Sequence, residues 1–206
     1  NSFSAEKQEK LLKQSWSFDG FFGKFDRASL QRGYQVYTEV CASCHSMNLL
    51  SYRNLSEVGG PSFSEEEVKA IASKVEVLDG PNDSGEMFKR PGKPSDKFAS
   101  PFANEKAARA ANGGAYPPDM SVLVKARAGG PDYIYSILMG YTDKPPKDVK
   151  LEDGVYYNKY MPGNKIKMSK PLSQDSVKYS DGTPATEEQL SKDVVTFLTW
   201  ASEPHL

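Results

Sequence analysis

The stretch Cys41-Ala42-Ser43-Cys44-His45 decides how the rest of the chain is read. Its pattern, C-x-x-C-H, is the attachment signature of a c-type haem. Two thiols add across the haem vinyl groups, and the two-residue spacer sets them at the separation those vinyls present. The histidine follows at once, so the same turn brings an imidazole onto the iron. Cys41 and Cys44 are the only cysteines among 206 residues, and the one other histidine, His205, stands next to the C-terminus. A zinc site would need two further ligands. A thioredoxin-like dithiol would need a βαβ pattern around the pair, and the periodicity shows none. One covalently bound haem c is therefore the expected cofactor.

The residues before this stretch read as the helix that delivers it. Leu30, Tyr34, Tyr37 and Cys41 recur at helical spacing over residues 27–40, and Asp26 can cap their start. Gly33 is costly inside a helix, and a close crossing by another helix would explain it. At the far end Thr186-Glu187-Glu188-Gln189 fits a capping box, and Leu190, Val194, Phe197, Leu198 and Ala201 form one apolar face. Pro204 ends that helix.

Between them the pattern predicts a helix over 65–77, with Ser64 and Glu67 as its capping box. Short helices are expected over 104–111 and 120–128, the second capped by Asp119, and another begins at an Asp132 cap and carries Ile134, Ile137 and Leu138. Residues 78–103 and 141–185 are rich in turn formers and read as long loops, with short hairpins allowed but no extended sheet. Residues 1–25 carry Trp16, Phe18, Phe21, Phe22 and Phe25, read as an N-terminal arm over the core, with a docking strip for a partner protein as the alternative.

Composition narrows the classes. At 206 residues the chain fits one domain over residues 1–206, or one domain with large insertions, mainly α by its helical patterns. Hydrophobic content of 38%, with 14 Pro and 16 Gly, suggests a loop-rich globule rather than a long-helix bundle. A net charge of −1 offers no basic field for nucleic acid. No run of about 18 apolar residues spans a bilayer, and Asn1 to Lys10 hold no signal peptide. Covalent haem attachment implies assembly outside the cytoplasm, so a mature or trimmed form of an exported protein is expected.

The second axial position separates electron transfer from chemistry, because a thioether closes the iron to small ligands and raises its potential. Met47 lies too near His45 to reach the opposite face, and Met120 and Met139 fall in expected helices. Met161 and Met168 sit in the loop before the last helix, where a chain can wrap the haem edge. Met168 is the first choice and Met161 the second.

A helix carrying C-x-x-C-H, a methionine on a distal loop and a closing helix resemble the class I cytochrome c fold. More specifically, the chain resembles the cytochrome c1 family, from about Trp16 to Pro204. The resemblance rests on 32–37 (Arg-Gly-Tyr-Gln-Val-Tyr), 79–82 (Asp-Gly-Pro-Asn), 86–93, 107–113, 117–119, 126–130 and 179–186, taken in that order. It implies a class I cytochrome c-like fold with long loop insertions, and His45 and Met168 as axial ligands. It implies Arg127 paired with a haem propionate, and Asn112, Pro117, Pro118 and Tyr133 lining the pocket. One pocket carbonyl is expected to accept the Nδ1 proton of His45, with no choice made among them.

The resemblance also implies an electron carrier of a quinol–cytochrome c oxidoreductase. Its partners would be the Rieske iron–sulfur subunit, cytochrome b and an accepting cytochrome c, at the periplasmic face of the bacterial inner membrane. Family members continue into a C-terminal transmembrane helix, an anchor that this sequence, ending at Leu206, does not include. Acidic residues at 65–67, or Asp148, Glu152 and Asp153, are candidates for steering a basic cytochrome. Two rival classes are a c-type haem peroxidase, which would need an open iron and a distal acid–base residue, and a sensor that exchanges Met168. Binding of carbon monoxide or cyanide separates the first, and redox-dependent loss of the sulfur–iron band the second.

Overall fold

Asp26 turns an extended approach into the first helix of the computed structural model, which describes residues 9–147 and 149–204. Its carboxylate accepts the Ser29 N–H at 2.7 Å, a cap that stabilises a helix by about 1 kcal/mol. Helix α1 then runs Arg27–Glu39 and hands over to a 3-10 turn at Cys41–Ser43. The last helix, which we number α5, runs Glu187–Ala201 and crosses α1. Thr186 caps it through the Gln189 N–H at 3.1 Å. The expected reciprocal half of that capping box is not made. The Gln189 side chain donates instead to Asp193 at 3.0 Å, because Asp193 is a carboxylate with no exposure to water. Arg32 supplies the opposite charge from α1 at 2.8 and 3.1 Å, and the Ser29 hydroxyl donates as well.

The crossing explains Gly33. A Cβ there would collide with the Asp193 carbonyl and lie 2.7 Å from the Cβ of Phe197. Around this point Tyr34 and Tyr37 meet Phe197 with ring centroids 5.6 and 5.8 Å apart, and Leu30, Val36, Leu190 and Val195 are sealed from solvent. Tyr52 stacks on Phe98 at 4.8 Å and extends this apolar layer toward the middle of the chain.

Helix α2 (Glu65–Ala72) keeps the expected capping box, with Ser64 N–H on Glu67 at 2.7 Å and Glu67 N–H on the Ser64 hydroxyl at 3.2 Å. It stops five residues before the expected end. Val75, Val77 and Leu78 are β-branched or apolar and the segment finds a pairing partner, so Glu76–Asp79 forms β1 against β2 (Phe88–Pro91). The antiparallel register sets Glu76 opposite Pro91 and Asp79 opposite Phe88. Arg90 fastens this hairpin, forking onto Asp96 at 2.6 and 3.0 Å and reaching Asp79. The Asp96 carbonyl in turn accepts the Tyr52 N–H at 3.1 Å, so the hairpin rests on the core.

This pair carries a pH dependence. The guanidinium of Arg90 holds the Asp96 carboxyl down to about 2. The folded value lies below the unfolded value of about 3.9, so the stabilisation is complete above about pH 4 and is lost as pH falls toward about 2. Thermal unfolding followed across that window should show Asp96→Asn flattening the fall in Tm relative to the unsubstituted protein. Parallel curves would remove the pair from the acid response.

Helix α3 (Glu105–Ala111) starts where expected, with Asn104 accepting the Ala107 N–H at 3.0 Å. The expected helix over 120–128 is not formed. The segment is a run of turns in which Leu123 and Arg127 bond three residues back, and Asp119 is committed partly to residues 46–48. Helix α4 runs Gly130–Met139, with Gly129 at φ 91° before it and Pro131 in its first turn. Asp132 is therefore inside the helix rather than its cap. Its carboxylate gathers Lys13 Nζ at 2.8 Å, Gln14 N–H at 3.2 Å and the Trp16 indole N–H at 2.9 Å. Trp16, Phe18 and Phe25 pack on the core in consequence, whereas Phe21 and Phe22 are 95% and 88% exposed. Residues 1–8 lie outside the described residues.

The loop after α4 is organised by Asn158, which is fully buried. Its amide donates to the Ile137 carbonyl at 2.7 Å and accepts from the N–H groups of Tyr160 and Met161 at 3.1 and 3.2 Å. Strands β3 (Tyr156–Tyr157) and β4 (Lys165–Ile166) pair antiparallel beside it. The described architecture is thus largely helical, with two short hairpins.

Candidate functional site

The end of α1 builds the site. The Val40 N–H still reaches the Val36 carbonyl at 3.0 Å, and then the helix tightens. The N–H groups of Cys44 and His45 both return to the Cys41 carbonyl, at 3.1 and 2.9 Å. This turn brings Cys41, Cys44 and His45 together, and both cysteines carry free thiols. Tyr37, buried one turn earlier, donates its hydroxyl to the His45 carbonyl at 3.4 Å.

His45 is 9% exposed, and its Nδ1 lies 2.8 Å from the Pro118 carbonyl. A carbonyl has no proton to give, so Nδ1–H donates and Nε2 keeps its lone pair. Burial disfavours the imidazolium and lowers the His45 pKa, although Pro118 and Asp119 pull the other way. The ring is therefore neutral with Nε2 free, which is the state a metal ligand needs. Of the residues placed around the pocket by resemblance, Pro118 is the one that provides the acceptor.

Burial, and then the neighbouring Cys44, push the Cys41 thiol up to about 12. A redox dithiol needs the opposite shift, toward an exposed thiolate. Among the described residues no group of three or more His, Cys, Asp and Glu side chains could hold a metal ion. The two thiols, the neutral imidazole and its fixed tautomer fit covalent haem as a donor set.

The other predicted residues divide. Arg127 and Tyr133 line one cleft of about 600 Å³ together with Glu9, Leu11, Gly129 and Pro162. Arg127 is exposed and has no salt bridge among the described residues, so its guanidinium is open to an anionic group. Asn112 turns inward on its own helix, donating to the Ala108 carbonyl at 2.8 Å. Pro117 is half-buried beside Pro118.

The methionines separate more clearly than sequence allowed. Met47 is sealed and Met120 is 8% exposed, both in the core, while Met87 is exposed on the β1–β2 hairpin. Met139 accepts from the Ser191 hydroxyl at 3.6 Å. Met161 accepts from the Tyr133 hydroxyl at 3.8 Å. Met168 is half-buried, its carbonyl accepts from Tyr141 at 3.0 Å, and no donor among the described residues engages its sulfur.

Sequence reasoning missed three residues that set this geometry: Tyr141 and Asn158, which hold the methionine loop, and the part Asp119 plays. Asp119 reads as a helix cap in the sequence, and one of its oxygens does accept the Ser121 N–H at 2.8 Å. The other accepts from the Ser46 hydroxyl and the Asn48 N–H, each at 2.8 Å. Burial opposes its charge, but these bonds outweigh burial and hold its carboxyl below the usual range. No spacing rule announces a contact across 71 residues.

The largely helical fold and its helix-delivered turn define a protein with the donor set of c-type cytochromes. A family model described as the Cytochrome C1 family matches residues 16–206, and the chain belongs to that family. A cytochrome b/c1 of Bradyrhizobium diazoefficiens is 53% identical over 98% of this chain and 32% of its own length. A mitochondrial cytochrome c1 haem protein of Arabidopsis thaliana is 56% identical over 98% of this chain and 66% of its own. A protein of Candida albicans named as the catalytic subunit of the mitochondrial cytochrome b-c1 complex is 54% identical over 92% of this chain and 65% of its own. The chain thus spans about a third of the first relative and just under two thirds of the other two. No helix of the described residues is long and apolar enough to cross a membrane.

Proposed function

We propose that the chain holds one covalently attached haem c. In this reading it carries single electrons from the Rieske iron–sulfur subunit to a cytochrome c, as a subunit of a quinol–cytochrome c oxidoreductase that includes cytochrome b. Its place is the periplasmic face of the bacterial inner membrane. It performs no chemistry of its own on a substrate. The haem, when bound, supplies one-electron exchange at iron.

The observation that carries this reading is the neutral His45, with Nδ1–H committed to Pro118, standing beside two free thiols at the end of α1. Cys41 and Cys44 would hold the group covalently, and His45 through Nε2 and Met168 through its sulfur would ligate the iron, the choice of Met168 being supported by its unengaged sulfur and by the hydrogen bond that occupies Met161. Arg127 offers a bidentate cation to a propionate. Pro117, Tyr133 and Asn112 belong to the wall of the pocket.

For docking, Glu67 is engaged with the Ser64 N–H as the α2 cap, which leaves Glu65 and Glu66 as the outward charges of that cluster. Glu152 and Asp153 are exposed, and Asp148 lies outside the described residues.

The test has two parts. Protein produced with a haem-attachment system should gain the mass of one haem and keep it through denaturation, and Cys44→Ala should hold it by one bond at most. Oxidation of the reduced protein by a basic cytochrome c should then slow as ionic strength rises. Protein that gains no mass overturns the attachment. A rate indifferent to salt overturns the acidic docking surface.

A further inference from the structure

We propose that Asp119 is a positioning residue for His45. By tying the segment that carries the imidazole to the segment that carries its acceptor, it fixes the Nδ1–H···O=C bond to Pro118. The inference rests on the reading of His45 as an iron ligand.

The bond needs such a device. The Pro118 carbonyl sits in a Pro-Pro pair, and proline has no N–H, so residues 117 and 118 cannot anchor themselves by donating backbone hydrogen bonds. The anchoring begins at the next residue. One Asp119 oxygen takes the Ser46 hydroxyl and the Asn48 N–H, both at 2.8 Å, immediately after His45. The other takes the Ser121 N–H at 2.8 Å, on its own side. The Met120 N–H closes the same seam on the Ser46 carbonyl at 2.8 Å, and the Leu49 N–H reaches the Ser121 hydroxyl at 3.0 Å. The His45–Pro118 bond is the first link of this lacing, and Asp119 is its one charged member. Hydrogen bonds to an ionised carboxylate are shorter and stronger than neutral ones, so its removal loosens the seam most.

Asparagine in its place keeps the shape but cannot keep the bonds. Its carbonyl oxygen can serve one side. Its NH2 then faces either the Asn48 N–H or the Ser121 N–H, donor against donor. The Pro118 carbonyl is freed to draw back from Nδ1. A weaker acceptor makes the imidazole a poorer electron donor through Nε2, as expected wherever the partner of a ligating histidine is lost.

The experiment uses the reduced, haem-loaded protein with 15N-labelled histidine, followed by NMR. The ring protons of His45 report ligation through the haem ring current, and its Nδ1–H reports the bond to Pro118. In Asp119→Asn the Nδ1–H should exchange with water about tenfold faster, the factor that corresponds to one weakened charge-assisted bond. The ring-current shifts should persist. Ser46→Ala removes one arm of the clamp without changing charge, and should move the exchange rate the same way by a smaller factor, which separates positioning from the loss of a negative charge. Unchanged exchange in both variants overturns the proposal alone. Absence of ring-current shifts on His45 in the unsubstituted protein overturns its role as a ligand, and this proposal with it.

Discussion

Met168→Leu is expected to keep the haem attached while changing its ligation. Leucine and methionine have similar volume, and apolar swaps of this kind cost less than about 1.5 kcal/mol, so the loop should stay folded. The loop is also pinned independently of the sulfur. Tyr141 donates to the Met168 carbonyl at 3.0 Å, Lys167 reaches the Gly113 carbonyl at 3.1 Å, and Asn158 anchors the preceding turn to α4. What the substitution removes is the thioether. The ferric protein should lose its sulfur–iron band, the midpoint potential should fall because a ligand favouring reduced iron is gone, and the reduced protein should bind carbon monoxide. Absorption spectra in both redox states and a redox titration read all three. A variant indistinguishable from the unsubstituted protein would place the ligand elsewhere, with Met161 next in line. Loss of haem in place of loss of the band would mean that the loop fails as a structure.

Gly33→Val should be the most damaging change outside the site. The α1–α5 crossing leaves no room for a side chain there, since a Cβ meets the Asp193 backbone and the Phe197 Cβ at 2.7 Å. Relief would push the helices apart and lengthen the bonds from Arg32 and Ser29 to Asp193, a carboxylate with no access to water. Overpacking together with a loosened buried charge should cost about 3 kcal/mol or more. At this chain length each kcal/mol lowers Tm by about 2–4 °C. Gly113→Ala is the control. Gly113 has φ 56° and open space around it, so only backbone strain of about 1–2 kcal/mol is expected. Equal losses of Tm in the two variants would show that the crossing does not depend on a bare backbone at Gly33.

Local signals were legible wherever a residue acts on its own neighbours. Asp26, Ser64 and Thr186 all cap the helices their sequence context announces, because a cap is a hydrogen bond reaching two or three residues along the chain. The C-x-x-C-H spacing is local in the same sense. Gly33 was legible as a crossing point because its cost inside a helix calls for a compensating contact. The misread segments share a cause. Residues 73–77 left the expected helix because a partner strand was available for the chain from Glu76 onward. Asp132 became the anchor of the N-terminal arm, and residues 120–128 stayed in turns with Asp119 bonded to residues 46–48.

For this protein, then, the sequence alone determined where α1, α2, α3 and α5 start, the thiol and imidazole set at residues 41–45, and the family expectation for Met168. Tertiary structure decided which carbonyl holds His45, which carboxylate ties that carbonyl in place, and which loop methionine has its sulfur occupied. Those are contacts between residues some 30 to 70 positions apart. Such pairings depend on where α1, α4 and the proline turn meet in space, and a one-dimensional pattern carries no term for that distance.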